Sequence, residues 1–86
     1  MHQRSNITYG QLGRILRSFG FSRRVYEENG KGVRYQHKQT GALILLPLYP
    51  DSARVYNHHL LAIRGTLDNF GVADRSVFEA KLKKVG

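Results

Sequence analysis

This sequence predicts a two-layer α+β domain in the order helix, three-stranded antiparallel meander, helix, with a short extra C-terminal helix. Three observations carry that expectation. Gly32 to Tyr49 has the form of a hairpin: a polar strand ending at His37-Lys38, a turn at Gln39-Thr40-Gly41, then the most apolar strand in the chain. Leu12, Ile15, Leu16 and Phe19 recur at helical spacing, and Leu60, Ile63, Leu67 and Phe70 repeat the pattern later,. Two such stripes are buried together only by packing both helices on one face of the sheet. The 86 residues leave room for one domain,, with a core over about 7–72 and a C-terminal helix over about 75–84.

Taken in order, Met1 to Asn6 is polar and expected to fray. Thr8 caps the first helix and Gln11, three residues on, completes a capping box, with Ile7 placed to staple against Leu12,. Gly20 stands at the left-handed position that ends a helix, and Phe21 can fold back on Leu16. Arg14 and Arg17 share the opposite, wet face. Phe21 to Glu28 is the first strand, with no clear inward face, and Asn29-Gly30-Lys31-Gly32 is a turn,. In the second strand Val33, Tyr35 and His37 share one face and Arg34, Gln36 and Lys38 the other. The third strand is apolar on both sides, with Ala42, Ile44 and Leu46 facing one way and Leu43 and Leu45 the other. Pro47, lacking an N–H, closes it.

Leu48 to Tyr56 reads as a loop. Asn57 is placed to cap the second helix, with Tyr56 and Leu61 as its staple and Gly71 as its stop,. Gly65 inside that helix costs about 1 kcal/mol relative to Ala. Asp74 or Ser76 caps the third helix, Ser76 with Glu79 forming a second capping box, and Val77, Phe78 and Leu82 form its small apolar face. That helix is expected to cover the outer side of the apolar third strand.

The net charge of +8 is concentrated between Arg4 and Lys38, where only Glu27 and Glu28 oppose the basic residues. Such a surface points to a polyanion, with nucleic acid ahead of an acidic protein. The absence of Cys excludes disulfides and a thiolate zinc site,. No apolar run approaches the ~20 residues that span a bilayer, and the N-terminus does not read as a signal peptide. A soluble, cytoplasmic protein without membrane partners is the expectation.

Certain residues carry a family resemblance. Phe19-Gly20-Phe21 closes the first helix, Tyr35-Gln36-His37 gives an aromatic-x-His, Gly41 marks the turn, and Leu45-Leu46-Pro47 ends the strand. Gly65-Thr66-Leu67 and Phe70-Gly71-Val72 follow in the second helix. Over about residues 7–72 the chain resembles the HicA-type toxins, RNA-cleaving partners in bacterial toxin–antitoxin pairs that share the double-stranded RNA-binding-domain fold. The resemblance implies an RNA-binding protein and a metal-independent mRNA endoribonuclease, with an acidic antitoxin-like protein as partner. The family's catalytic histidine falls on Gly32, where Gly30-Lys31-Gly32 replaces Gly-Ser-His. The expected cleavage is therefore weak or absent.

In that fold RNA meets the first helix, the loop between the first two strands and the start of the second helix. Those surfaces carry Arg14 and Arg17, then Lys31, then His58 and His59; Arg34, Lys38, Arg54 and Arg64 extend the basic set. A relocated acid–base pair would need His37 beside His58 or His59, since histidine titrates near neutrality; the alternative is that His37 holds the hairpin turn. His58 and His59 lie ~100° apart around a helix and cannot readily chelate one ion, so neither metal nor cofactor is expected. The reading from a different class is a non-catalytic interaction module, in which the apolar third strand and the basic surface bind an acidic partner, or the Leu43 and Leu45 face forms a homodimer.

Overall fold

The structure is a computed structural model and describes residues 3–28 and 30–85. The elements are β1 (Arg4–Thr8), α1 (Tyr9–Ser18), β2 (Ser22–Tyr26), β3 (Gly32–Gln36), β4 (Leu43–Pro47), β5 (Arg54–Tyr56), α2 (Asn57–Asn69) and α3 (Arg75–Val85). The fold is α+β, with a three-stranded antiparallel sheet ordered β2-β3-β4. A second sheet of two strands joins β1 to β5 antiparallel.

Helix α1 forms where its caps require. Thr8 Oγ1 accepts from the Gln11 amide, and Gln11 Oε1 accepts from the Thr8 amide at 2.9 Å, closing the box. At the other end Gly20 has φ +99°, and the Gly20 and Phe21 amides donate to Arg17 and Leu16 carbonyls. Gly71 (φ +72°) ends α2 in the same way, with Val72 donating to Leu67. In the meander, Val33, Tyr35, Ile44 and Leu46 face inward against Leu12, Ile15 and Leu16 of α1 and Ile63 and Leu67 of α2. The hairpin turn carries Gly41 at φ +79°.

Five expectations change. The N-terminal segment does not fray from Arg4 onward: it pairs with β5, so the presumed loop 48–56 contains a strand as well. Met1 and His2 lie outside the described residues, as does Asn29 of the β2–β3 turn. Asn57 is the first residue of α2 and not its cap. Tyr56 stands at that cap and its side chain makes no capping bond to the helix, and the Asn57 amide instead donates to the Gln3 carbonyl at 2.8 Å. Leu61 is 57% exposed and makes no staple, and Phe70 is 47% exposed beyond the buried Ile63 and Leu67. At α3 the expected Ser76–Glu79 box does not form; Asp74, the other cap offered by the sequence, accepts at Oδ1 from the Val77 amide and the Ser76 hydroxyl. Glu79 turns instead to Arg64, at 2.7 Å.

The fifth change concerns α3. Phe78 is buried in the common core and the helix packs on α1 and α2, with Val77 exposed. It therefore leaves the outer face of β4 open, and Leu43 and Leu45 remain 46% and 56% exposed. Two helices already provide α3 with an apolar seat. A single leucine row on a sheet face offers less surface to bury.

Candidate functional site

The first turn of α1 sets the geometry. Its Tyr9 amide donates to the Ala53 carbonyl and its Gly10 amide to the Asp51 carbonyl, at 2.9 and 3.0 Å. This draws loop 48–53 against the helix so closely that a β-carbon on Gly10 would lie 3.2 Å from Asp51 Cβ. One turn on, a β-carbon on Gly13 would meet the Tyr35 hydroxyl at 2.7 Å. Two glycines three residues apart thus let the helix approach both the loop and the sheet.

Strand β2 is one edge of the sheet, and its residues Ser22 to Val25 are exposed. Its register pairs Arg23 with Tyr35, so Arg23 shares the helix-side face with Tyr35 while Arg24 points the other way with Arg34,. Between α1, β2 and the loop lies an open groove of about 480 Å³. Arg14 and Arg17 line it from the helix, Arg23 from the strand, Tyr35 from the sheet, and Asp51 and Ser52 at the loop end. Among the described residues the only ion pair is Arg64–Glu79, so none of these three guanidinium groups is neutralised by a carboxylate. The Tyr35 hydroxyl has no protein hydrogen-bond partner among the described residues.

The structure distributes the other sequence-predicted cations. Lys31 is exposed in the β2–β3 loop, and Lys38 in the turn after β3. Arg34 lies on the outer sheet face beside Arg24 and Leu45. Arg54 sits in β5, and Arg64 is held by Glu79. Arg23, Tyr35 and Asp51 were not singled out as site residues from sequence. The signal for Arg23 was its parity in β2, which only the strand register resolves.

His37 is 7% exposed with both ring nitrogens engaged. Nε2 lies 3.1 Å from the Phe19 carbonyl, which can only accept, so Nε2 carries the proton,. Nδ1 then accepts from the Thr40 hydroxyl at 2.9 Å. His37 therefore ties the end of α1 to the β3–β4 turn, the structural alternative weighed from sequence.

His58 and His59 stand elsewhere, in an aromatic cluster at the start of α2. His59 Nδ1 is 2.9 Å from Tyr9 Oη, Tyr9 stacks on Tyr49 with ring centroids 4.5 Å apart, and Arg4 lies over Tyr56 at 4.0 Å. Burial raises the Tyr9 phenol above its ordinary pKa,. Because His59 bonds Tyr9 and His37 bonds Phe19, they mark opposite ends of α1, about 15 Å apart at 1.5 Å per residue,. The three histidines do not converge on one reacting atom. No group of three or more His, Asp or Glu among the described residues is placed to hold a metal ion, and no described helix is long and apolar enough to cross a membrane.

In comparisons with family models, curated proteins and solved structures, nothing matches the chain.

Proposed function

We propose that this is a HicA-like, RNA-binding protein of double-stranded RNA-binding-domain type, with weak or no ribonuclease activity, and that RNA binds in the groove between α1 and β2. The observation that supports this reading is three arginines without carboxylate partners lining one polar groove, with a tyrosine hydroxyl beside them. Guanidinium groups suit phosphate oxygens, which they meet with two parallel bonds. Asp51 at the loop end would repel a phosphate but accepts a hydrogen bond from a ribose 2′-hydroxyl, the group that separates RNA from DNA. Cleavage needs a base and an acid at one phosphate; His37 stands apart from the adjacent His58 and His59, and none of the three lines this groove.

The test is fluorescence anisotropy of a labelled single-stranded RNA titrated with the full chain at several salt concentrations. Replacing Arg14, Arg17 and Arg23 together by Ala should flatten the dependence of log K on log salt by about 2, three contacts at about 0.7 each on a single strand. Asp51→Asn should narrow the preference for RNA over DNA of the same sequence. A triple variant with unchanged affinity and slope removes the groove from RNA binding. If the wild type ignores RNA but binds polyglutamate through the same arginines, the alternative of a module for an acidic protein partner takes its place.

A further inference from the structure

Edge strands usually carry charge, proline or a bulge that discourages pairing with another chain. The two edges of the β2-β3-β4 sheet differ in this respect. β2 carries Arg23 and Arg24. No residue from Ala42 to Tyr49 is charged, and within this run β4 exposes Leu43 and Leu45.

The hydrogen-bond phase of the sheet shows which backbone groups reach the free edge. The His37 amide donates to the Ala42 carbonyl, and the Leu48 amide to the Lys31 carbonyl. The bond-exchanging positions are therefore Tyr35–Ile44 and Val33–Leu46,. Leu43 and Leu45 alternate with them, so their N–H and C=O groups point out of the sheet edge. Pro47 is the next outward position and has no N–H.

We propose that this edge pairs antiparallel with β4 of a second copy, about a two-fold axis at Ile44. In that register Leu43 of each copy faces Leu45 of the other, and every outward N–H and C=O of those residues finds a partner. Pro47 falls beyond the paired stretch, where its missing donor costs nothing. The leucines on the outer face become direct cross-strand neighbours, and the two sheets join into one. The edge is self-complementary because the outward positions flanking Ile44 are both leucine. It carries no charge that would select an acidic strand. Its nearest outer-face cations, Arg34 and Arg24, lie one and two strands inland.

The contact is independent of the RNA reading and has the opposite salt response. Two copies of net charge +8 repel, so salt should strengthen pairing by screening while it weakens RNA binding. Short strands bury less surface than a standard stable interface, which places the association among weak ones.

Sedimentation equilibrium of the full chain from about 10 µM to about 1 mM covers that weak range. The average mass should rise toward twice the monomer's, and should do so at lower concentration in high salt. Leu43→Lys with Leu45→Lys should keep the chain monomeric. Both side chains are exposed, and circular dichroism checks the fold. If lysine disturbs folding, Leu43→Ser with Leu45→Thr removes the apolar pairs more gently and should weaken the dimer at least tenfold. Amide exchange distinguishes edge pairing from face-on contact of the leucines, because only edge pairing slows the Leu43 and Leu45 amides as concentration rises. A chain that stays monomeric at the highest concentration overturns the proposal. So does a dimer that survives both variant pairs, or one whose Leu43 and Leu45 amides exchange at the monomer rate. Protection of those amides by an alternating Glu–Val peptide in a chain that never self-associates assigns the edge to a foreign acidic strand, and also overturns it.

Discussion

At the scale of single residues, Gly32 is held by its neighbour across the sheet. Tyr26 lies over it, and a β-carbon at Gly32 would collide with the outer end of the Tyr26 ring. Gly32 is not among the positive-φ glycines, so the constraint is steric and not conformational. Gly32→His should displace Tyr26 and cost about 1–3 kcal/mol, the usual range for overpacking. Urea unfolding measures that loss, and combining it with Tyr26→Ala should cost less than the sum of the single changes. A histidine at 32 would also share the outer sheet face with Arg34, away from the arginine groove. Labelled RNA should accordingly remain uncut by the Gly32→His protein.

Tyr9 gives a second test at this scale. A phenol raised by burial stabilises the fold fully below its unfolded pKa near 10, and that contribution is lost as pH rises through the folded value,. Tyr9→Phe should lower stability at pH 7, through the lost bond to His59. It should also close the gap with the wild type above about pH 10, as read by thermal melts across the alkaline range.

At the scale of elements, the caps account for where helices begin and end. Asp74 accepts from the Ser76 hydroxyl and the Val77 amide, and these bonds hold its carboxyl below the ordinary range. A depressed carboxylate contributes above its unfolded pKa, and the contribution disappears as pH falls through the folded value. Asp74→Ala should speed amide exchange in the first turn of α3 at pH 7 while leaving β3 and β4 unchanged. As pH falls through the folded pKa, which lies below the unfolded value of 3.8, the carboxyl protonates and the wild type should lose its advantage,. Equal exchange in the two proteins at pH 7 would remove Asp74 from the cap. Side chains of adjacent residues made this start visible in the sequence, as Thr8 and Gln11 did for α1. The start of α2 was misplaced because its first amide is satisfied by Gln3, a residue 54 positions away.

At the scale of the whole molecule, His37 joins parts that sequence alone could only place nearby. Its bonds to Phe19 and Thr40 connect α1 to the β3–β4 turn from inside the core. Truncation leaves the Phe19 carbonyl without that donor, so His37→Ala should cost about 1–3 kcal/mol in urea unfolding. RNA affinity and its salt slope should remain those of the wild type at temperatures where the variant is folded. A loss of binding by the fully folded His37→Ala protein would move His37 into the site.

Locally encoded features were legible without coordinates: α1 with both its caps, the inward row Val33, Tyr35 and His37, the glycine turn at 41, and the Gly71 stop. Each depends on residues a few positions apart, so propensity, periodicity and side-chain reach suffice to define it. Arg14 and Arg17 were likewise visible as a basic pair on one helix face. Tertiary structure decided the rest. β1 and β5 each lack a complete partner surface within their own stretch and exist as strands because they pair across about fifty residues. Arg23 joins Arg14 and Arg17 only through the register that sets it opposite Tyr35. Leu43 and Leu45 stay exposed because α3 finds its apolar seat on α1 and α2. The physical reason is one of range: caps and turns are satisfied within a few residues, whereas strand pairing and the burial of a face are settled by whichever distant surface leaves the fewest polar groups unpaired and the least apolar area in water.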